Sequence, residues 1–109
     1  MRFFGLKSCD TCRKALKSIR DKGLDVTVID VRADGIALAD QNAIIAAFGD
    51  ATLNRASTTW RGLSDSEKSM DAASLLAAHP TLMKRPVIDR NGEWSIGWKP
   101  EVQNQVLGE

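Results

Sequence analysis

The sequence predicts an α/β domain. A β-α-β unit and a β-β-α unit together give a mixed four-stranded sheet, with a helical insertion between them. Three observations predict it. Cys9-Asp10-Thr11-Cys12 stands where a short apolar run gives way to a helical period. A β-branched run, Val26-Thr27-Val28-Ile29-Asp30-Val31, follows that helix. Near the end, Arg90-Asn91-Gly92 separates two apolar runs, and Asn-Gly in that setting is the strongest short-range hairpin signal.

Residues 2–6 (Arg-Phe-Phe-Gly-Leu) read as the first strand. From Thr11, Cys12, Ala15, Leu16 and Ile19 recur at i, i+3, i+4 and i+7, one face of a helix, and Gly23 stops it. Residues 26–31 read as the second strand, and strand–helix–strand in this span suggests a right-handed parallel unit. After the Asp34-Gly35 turn, residues 38–48 read as a helix, with a short helix over 50–54. Residues 55–63 show no clean period and read as a loop. Ser64 with Glu67 is a capping-box pattern; a helix follows, is re-capped at Asp71 and ends before Pro80, with a turn through 80–83. Residues 85–89 and 93–98 form the hairpin strands, and Pro100 opens a last helix reaching about Leu107. A βαβ unit joined to a ββα unit is the thioredoxin/glutaredoxin-like arrangement, here with an insertion at about 36–80. The chain, 1–109, reads as one domain.

At 109 residues, 43% hydrophobic and 27% charged, the chain can build a core, and disorder is excluded. The formal net charge of +1 gives no argument for direct nucleic-acid or membrane binding. The charge is unevenly placed, however. Residues 1–22 hold seven Lys and Arg (Arg2, Lys7, Arg13, Lys14, Lys17, Arg20, Lys22) against Asp10 and Asp21. These basic residues read either as a solvated helix face or as a local field favouring thiolate over thiol. There is no membrane-length apolar run and no secretory h-region, so a cytoplasmic location is the expectation. A monomer is expected, since nothing requires a dimer.

The C-x-x-C at the strand–helix junction is the one strong motif. A cysteine at a helix N-terminus meets converging N–H groups and the helix dipole, which favour its thiolate. Cys9 is therefore the candidate nucleophile, and Cys12, one turn in, the candidate resolving thiol. Cys12 also lies on the apolar face and reads equally as core, and an inert Cys9 is the bland alternative. A zinc site would need two more ligands, and only His79 is on offer, so no metal is expected. Pro86 opens the third strand, where this fold places a cis proline facing the cysteine; an edge-strand proline is the alternative. On the residues alone, Arg55 and Arg85 read as solvent-facing arginines, and His79 as a helix C-cap.

Cys9-Asp10-Thr11-Cys12-Arg13-Lys14-Ala15, Thr58-Thr59-Trp60-Arg61, His79-Pro80-Thr81-Leu82-Met83-Lys84-Arg85-Pro86-Val87 and Gly97-Trp98-Lys99-Pro100 together closely resemble the ArsC/Spx/YffB family over essentially the whole chain. The resemblance implies a thioredoxin-like fold with a helical insertion and Cys9 as nucleophile. It implies that Arg55 and Arg85 line an anion pocket, with Arg85 before the family's cis proline, Pro86. Guanidinium groups suit that task because they grip an oxyanion or carboxylate in bidentate fashion. Two positions depart from the arsenate reductases of the family. Gly5 stands where they have a histidine, and Lys99 where they have a further arginine, keeping the charge without the planar fork. The cysteine pair is of the Spx type, whereas Thr-Thr-Trp-Arg and His-Pro-Thr-Leu resemble the YffB branch.

The expected function is thus a thiol-dependent reductase acting on a glutathione mixed disulfide or an arsenate-like oxyanion. Cys9 and Cys12 are its catalytic residues, and Arg55, Arg85, Pro86 and Lys99 its binding residues. No bound cofactor is expected; glutathione is the expected co-substrate, and glutathione, glutaredoxin or thioredoxin the expected partner. The rival expectation is an Spx-like redox-sensing regulator that binds RNA polymerase. A fold relic without turnover is the third.

Overall fold

The computed structural model describes residues 1–108; Glu109, the last residue of the expected domain, lies outside the described residues. The chain divides into two compact units. One is Met1–Asp34 with the chain from Arg85 onward, and the other is Gly35–Lys84.

The first unit carries the sheet. Its elements are β1 (Arg2–Gly5), α1 (Asp10–Asp21), β2 (Thr27–Asp30), β3 (Val87–Arg90), β4 (Glu93–Ile96) and, closing the chain, the helix Pro100–Leu107. The strand order is β2-β1-β3-β4. β1 runs parallel to β2, pairing Phe3 with Val28, and antiparallel to β3, pairing Phe3 with Ile88. β4 runs antiparallel to β3. This is the mixed four-stranded sheet that the sequence predicts.

The parallel β1–β2 pair needs a crossover, and α1 supplies it. Its buried residues Cys12, Ala15 and Ile19 pack with Phe3, Ile88 and Val106 into one cluster. Full burial of a side chain such as Ile19 or Ile88 contributes about 1.5–3 kcal/mol. Arg13, Lys14, Lys17 and Arg20 stay exposed on the opposite face. The β3–β4 hairpin turns at Asn91 (φ 54) and Gly92 (φ 88). Two successive positive φ values make the tight turn whose twist matches the strands, which is why Asn-Gly occupies it.

β1, β2 and β4 are shorter than expected by one or two residues at an end, and β3 starts at Val87, two residues later than expected, and runs on to Arg90. α1 begins at Asp10, one residue before the expected Thr11, because Cys9 already occupies the N-cap.

The second unit is helical: α2 (Leu38–Phe48), a 3-10 turn (Gly49–Thr52), α3 (Thr58–Arg61), α4 (Asp65–Lys68), α5 (Ala72–Ala78) and a 3-10 turn (Pro80–Leu82), leaving Pro100–Leu107 as α6. Leu53, Leu75 and Leu82 form its core with Trp60, Leu63 and Ala72 packed against it. Ser64 and Glu67 make the expected capping box, and Asp71 caps α5 by accepting from the Ser74 N–H. The segment expected as a loop over 55–63 contains a helical turn, α3. The Ser57 hydroxyl accepts from the Trp60 N–H and starts it, and a four-residue turn is too short to show a period. The helix after Ser64 is also a single turn, ending at Lys68 before the Asp71 cap. Among the described residues no helix is long and apolar enough to cross a membrane.

Candidate active site

The loop between β1 and α1 carries the site. Its shape is set by Asp30 at the end of β2, a residue the sequence reading passed over. The buried Asp30 carboxylate accepts from the backbone N–H groups of Lys7 (3.3 Å), Arg32 (2.9 Å) and Ala33 (2.9 Å). The Ala33 N–H is the strongest influence on its carboxyl, and with the Lys7 and Arg32 N–H groups it outweighs burial and holds Asp30 below the usual carboxylate range. The loop is thus tied to the neighbouring strand at Lys7. The Cys9 N–H then closes a turn onto the Leu6 carbonyl at 3.2 Å. The only sequence signal for this would have been an aspartate where a β-branched run ends.

Cys9 sits at the N-cap of α1, half-buried, with extended backbone (φ −85°, ψ 120°) and its carbonyl accepting from the Arg13 N–H at 3.0 Å. Its thiol stands beside the first turn of the helix, where of the backbone groups the Cys12 N–H acts on it. Burial pushes the Cys9 thiol up. Hydrogen bonds from the Cys12 N–H, the Cys12 thiol and the Arg85 guanidinium, together with the Arg85 charge, outweigh that and bring it below the ordinary value of 9.0.

Cys12 is 1% exposed. Burial pushes its thiol up to about 11, and the hydrogen bond and charge of Cys9 push the same way, against a Leu6 N–H that donates to the Cys12 sulfur. The two thiols therefore separate into roles: an easily ionised Cys9 and a Cys12 that keeps its proton and donates it in a hydrogen bond. Both cysteines are free, so no disulfide joins them.

Arg85 and Pro86 belong to the same unit, and the bond between them is cis. The Pro86 carbonyl accepts from the Gly97 N–H at 2.8 Å, tying this turn to the end of β4. The structure thus brings Cys9, Cys12, Arg85 and Pro86 together in one unit. Lys99 is exposed at the N-cap of α6, with Pro100 at the first helical position. Arg55 belongs to the other unit, where its guanidinium lies over the Trp60 ring, 5.4 Å from the centroid. Trp60 also receives Lys68 at 5.9 Å. His79 is the C-cap of α5, as expected, and its Nε2 lies 3.0 Å from a Glu67 carboxylate oxygen. Among the described residues no three His, Cys, Asp or Glu side chains gather closely enough to hold a metal ion.

Residues 4–106 match the ArsC family. The chain is 42% identical over 100 residues to an uncharacterised protein of Haemophilus influenzae, covering 87% of this chain and 88% of that one. Among solved structures it is similar to the YFFB protein, with 32% identity, 97% of each chain covered and a TM-score of 0.89. It is also similar to an arsenate reductase (ArsC) related protein from Brucella melitensis. There the identity is 35%, 95% of this chain and 91% of that chain are covered, and the TM-score is 0.72.

Proposed function

The chain belongs to the ArsC family, and from that membership we propose that it is a thiol-dependent reductase whose nucleophile is Cys9 and whose substrate is a glutathione mixed disulfide or an arsenate-like oxyanion. Family and neighbours related to arsenate reductase support a thiol-dependent oxidoreductase-like function. The observation that carries the reading is the surroundings of Cys9: a helix N-cap, a neutral Cys12 donor and the Arg85 guanidinium, all favouring the thiolate. The thiolate, not the thiol, is the attacking species.

On a mixed disulfide the Cys9 thiolate attacks the glutathione sulfur. A new S–S bond joins Cys9 to glutathione, and the substrate leaves as a thiolate that takes a proton from water. A second glutathione thiolate then attacks the adduct, releasing oxidised glutathione and regenerating Cys9. Glutathione is oxidised by two electrons and the substrate reduced by two. Alternatively Cys12 gives up its proton and attacks the Cys9 sulfur of the adduct, releasing glutathione as a thiolate that takes up that proton, and leaving a Cys9–Cys12 disulfide that glutathione, glutaredoxin or thioredoxin must reduce. Arg85 holds the negative charge of the bound group, with Pro86 shaping the turn beside it. Lys99 is a further anion ligand in this reading. An arsenate-like oxyanion uses the same cations and the same nucleophile: the Cys9 sulfur replaces one arsenic oxygen, which leaves as water. A glutathione thiolate then attacks the Cys9 sulfur, so that the As–S electron pair stays on arsenic and As(V) leaves as As(III). A second glutathione regenerates Cys9 from the Cys9–glutathione disulfide.

Turnover of a glutathione–cysteine mixed disulfide and of arsenate is measured with glutathione in excess. The wild type is expected to turn over at least one of them, and Cys9→Ser to lose that activity. Full activity in Cys9→Ser ends the proposal. So does an inactive wild type that co-purifies with RNA polymerase only when oxidised, the behaviour of a redox-sensing regulator.

A further inference from the structure

Gly5, the last residue of β1, has no part in the chemistry above. Its φ is not positive, so glycine is not needed there for backbone conformation. What it supplies is space. A Cβ at this position would stand 2.8 Å from the Cys12 sulfur, 2.8 Å from Cε1 of Phe3 and 3.4 Å from the Cys12 Cβ. Real Cβ atoms essentially never approach to 2.8 Å, so one of these groups would have to move. Neither is a loose surface side chain: Phe3 and Cys12 are each 1% exposed and packed in the same cluster. Gly5 itself is fixed, since its carbonyl accepts from the Val31 N–H at 3.0 Å and it pairs with Asp30 of β2.

The sulfur that fills this space has two polar neighbours. The Leu6 N–H, adjacent to Gly5, donates to it, and the Cys12 thiol donates in turn to Cys9. Residue 5, the Cys12 sulfur and the Cys9 sulfur are therefore linked in series. A hydrogen bond to an ionised group weakens steeply as its geometry worsens, so a displacement of Cys12 passes directly to Cys9.

We propose that Gly5 is a positioning residue of the thiol site: the space left by its missing Cβ seats the Cys12 sulfur between the Leu6 N–H and Cys9, and through Cys12 it sets how readily Cys9 ionises. The inference rests on Cys9 being the reactive thiol. The two are separable, because a wild-type Cys9 that ionises no more easily than free cysteine ends that reading, whereas Gly5 is judged on differences between variants.

The test follows the rate of Cys9 alkylation by iodoacetamide against pH, read by peptide mass. It uses the reduced wild type, Gly5→Ala, Cys12→Ala and the double variant, with thermal unfolding in parallel. Gly5→Ala is expected to move the Cys9 midpoint upward and to slow alkylation several-fold below it. In the Cys12→Ala background, Gly5→Ala is expected to leave the profile unchanged. A Gly5→Ala protein that melts lower but keeps the wild-type profile overturns the proposal, because the role is then structural. An equal effect with and without Cys12 also overturns it. If Gly5→Ala does not fold, Phe3→Leu/Gly5→Ala, which shortens the other neighbour, is measured against Phe3→Leu with the same two outcomes. If that also fails to fold while Gly5→Ala/Cys12→Ala folds, the sulfur is what fills the space, as proposed. If the variant lacking Cys12 fails to fold as well, removing the sulfur does not make room for the Cβ, and the proposal is overturned.

Discussion

Replacing Cys12 by alanine should change how the stability of the reduced protein depends on alkaline pH. The Cys12 thiol is pushed up from 9.0 to about 11, first by burial and then by the hydrogen bond and charge of Cys9. In the unfolded chain the thiol gives up its proton near 9, while in the folded protein it keeps it until about 11. The folded state thus binds the extra proton between these values. The stability this contributes is whole below 9 and is lost as pH rises towards 11. Each pH unit of difference corresponds to about 1.4 kcal/mol, so the interval represents about 3 kcal/mol, roughly half of it lost by pH 10. Cys9 has the opposite sign. Its folded value is lowered, so its contribution is lost as pH falls from 9 through that value, and between pH 9 and pH 10 it changes little and almost alike in both proteins. The rest of the chain is the same in both proteins, so its contribution drops out of the difference. The assay is urea unfolding of the reduced wild type and of Cys12→Ala at pH 9 and pH 10. The stability gap between them should narrow by about 1 kcal/mol on going from pH 9 to pH 10. A gap that does not change with pH refutes the reasoning, because the thiol would then ionise as easily folded as unfolded.

Two other outcomes follow from the same geometry. Arg85→Met removes a charged hydrogen bond to Cys9. Because Cys9 is half-buried, the lower end of the range for such bonds applies, about 1.5 kcal/mol. Alkylation of Cys9 near neutral pH should therefore slow about tenfold with the melting temperature little changed, and an unaltered rate would contradict the role of Arg85. Ser64→Ala breaks the capping box of α4, in which the Ser64 hydroxyl accepts from the Glu67 N–H at 3.2 Å and the Glu67 carboxylate accepts from the Ser64 N–H at 3.2 Å. The cost should be about 1 kcal/mol, read as faster amide exchange over residues 64–70, and unchanged exchange would show that this cap contributes nothing.

Elements whose causes are local were legible in the sequence. The Asn91-Gly92 turn, the Ser64–Glu67 capping box, the Asp71 cap and the apolar face of α1 are each written within a few residues, and each stands where it was expected. The α3 turn was not legible, since its start depends on one hydroxyl, that of Ser57, and it is too short to carry a period. At the site, the C-x-x-C spacing singled out Cys9 and Cys12, and the opening of the third strand singled out Pro86. What the sequence did not show is how other residues meet them in space. Asp30 is more than twenty residues from Lys7, yet its carboxylate holds that loop. Gly5 reads as a glycine of the first strand, noted only for standing where the resembling arsenate reductases have a histidine, and the space it leaves appears only where a Cβ would strike the Cys12 sulfur. Arg85 and Arg55 read alike as arginines, but only Arg85 shares a unit with the cysteines, and there it hydrogen-bonds Cys9.

The central claim is that Cys9 is an activated thiol. It is tested most directly by the pH dependence of Cys9 alkylation in the reduced wild-type protein, with Cys9 and Cys12 resolved by peptide mass. Free cysteine ionises near about 8.5. A Cys9 midpoint clearly below that value, with Cys12 unreacted until well above pH 9, is the predicted result. A Cys9 midpoint at or above the free value would contradict the account, because neither Cys12 nor Arg85 would then be stabilising the thiolate.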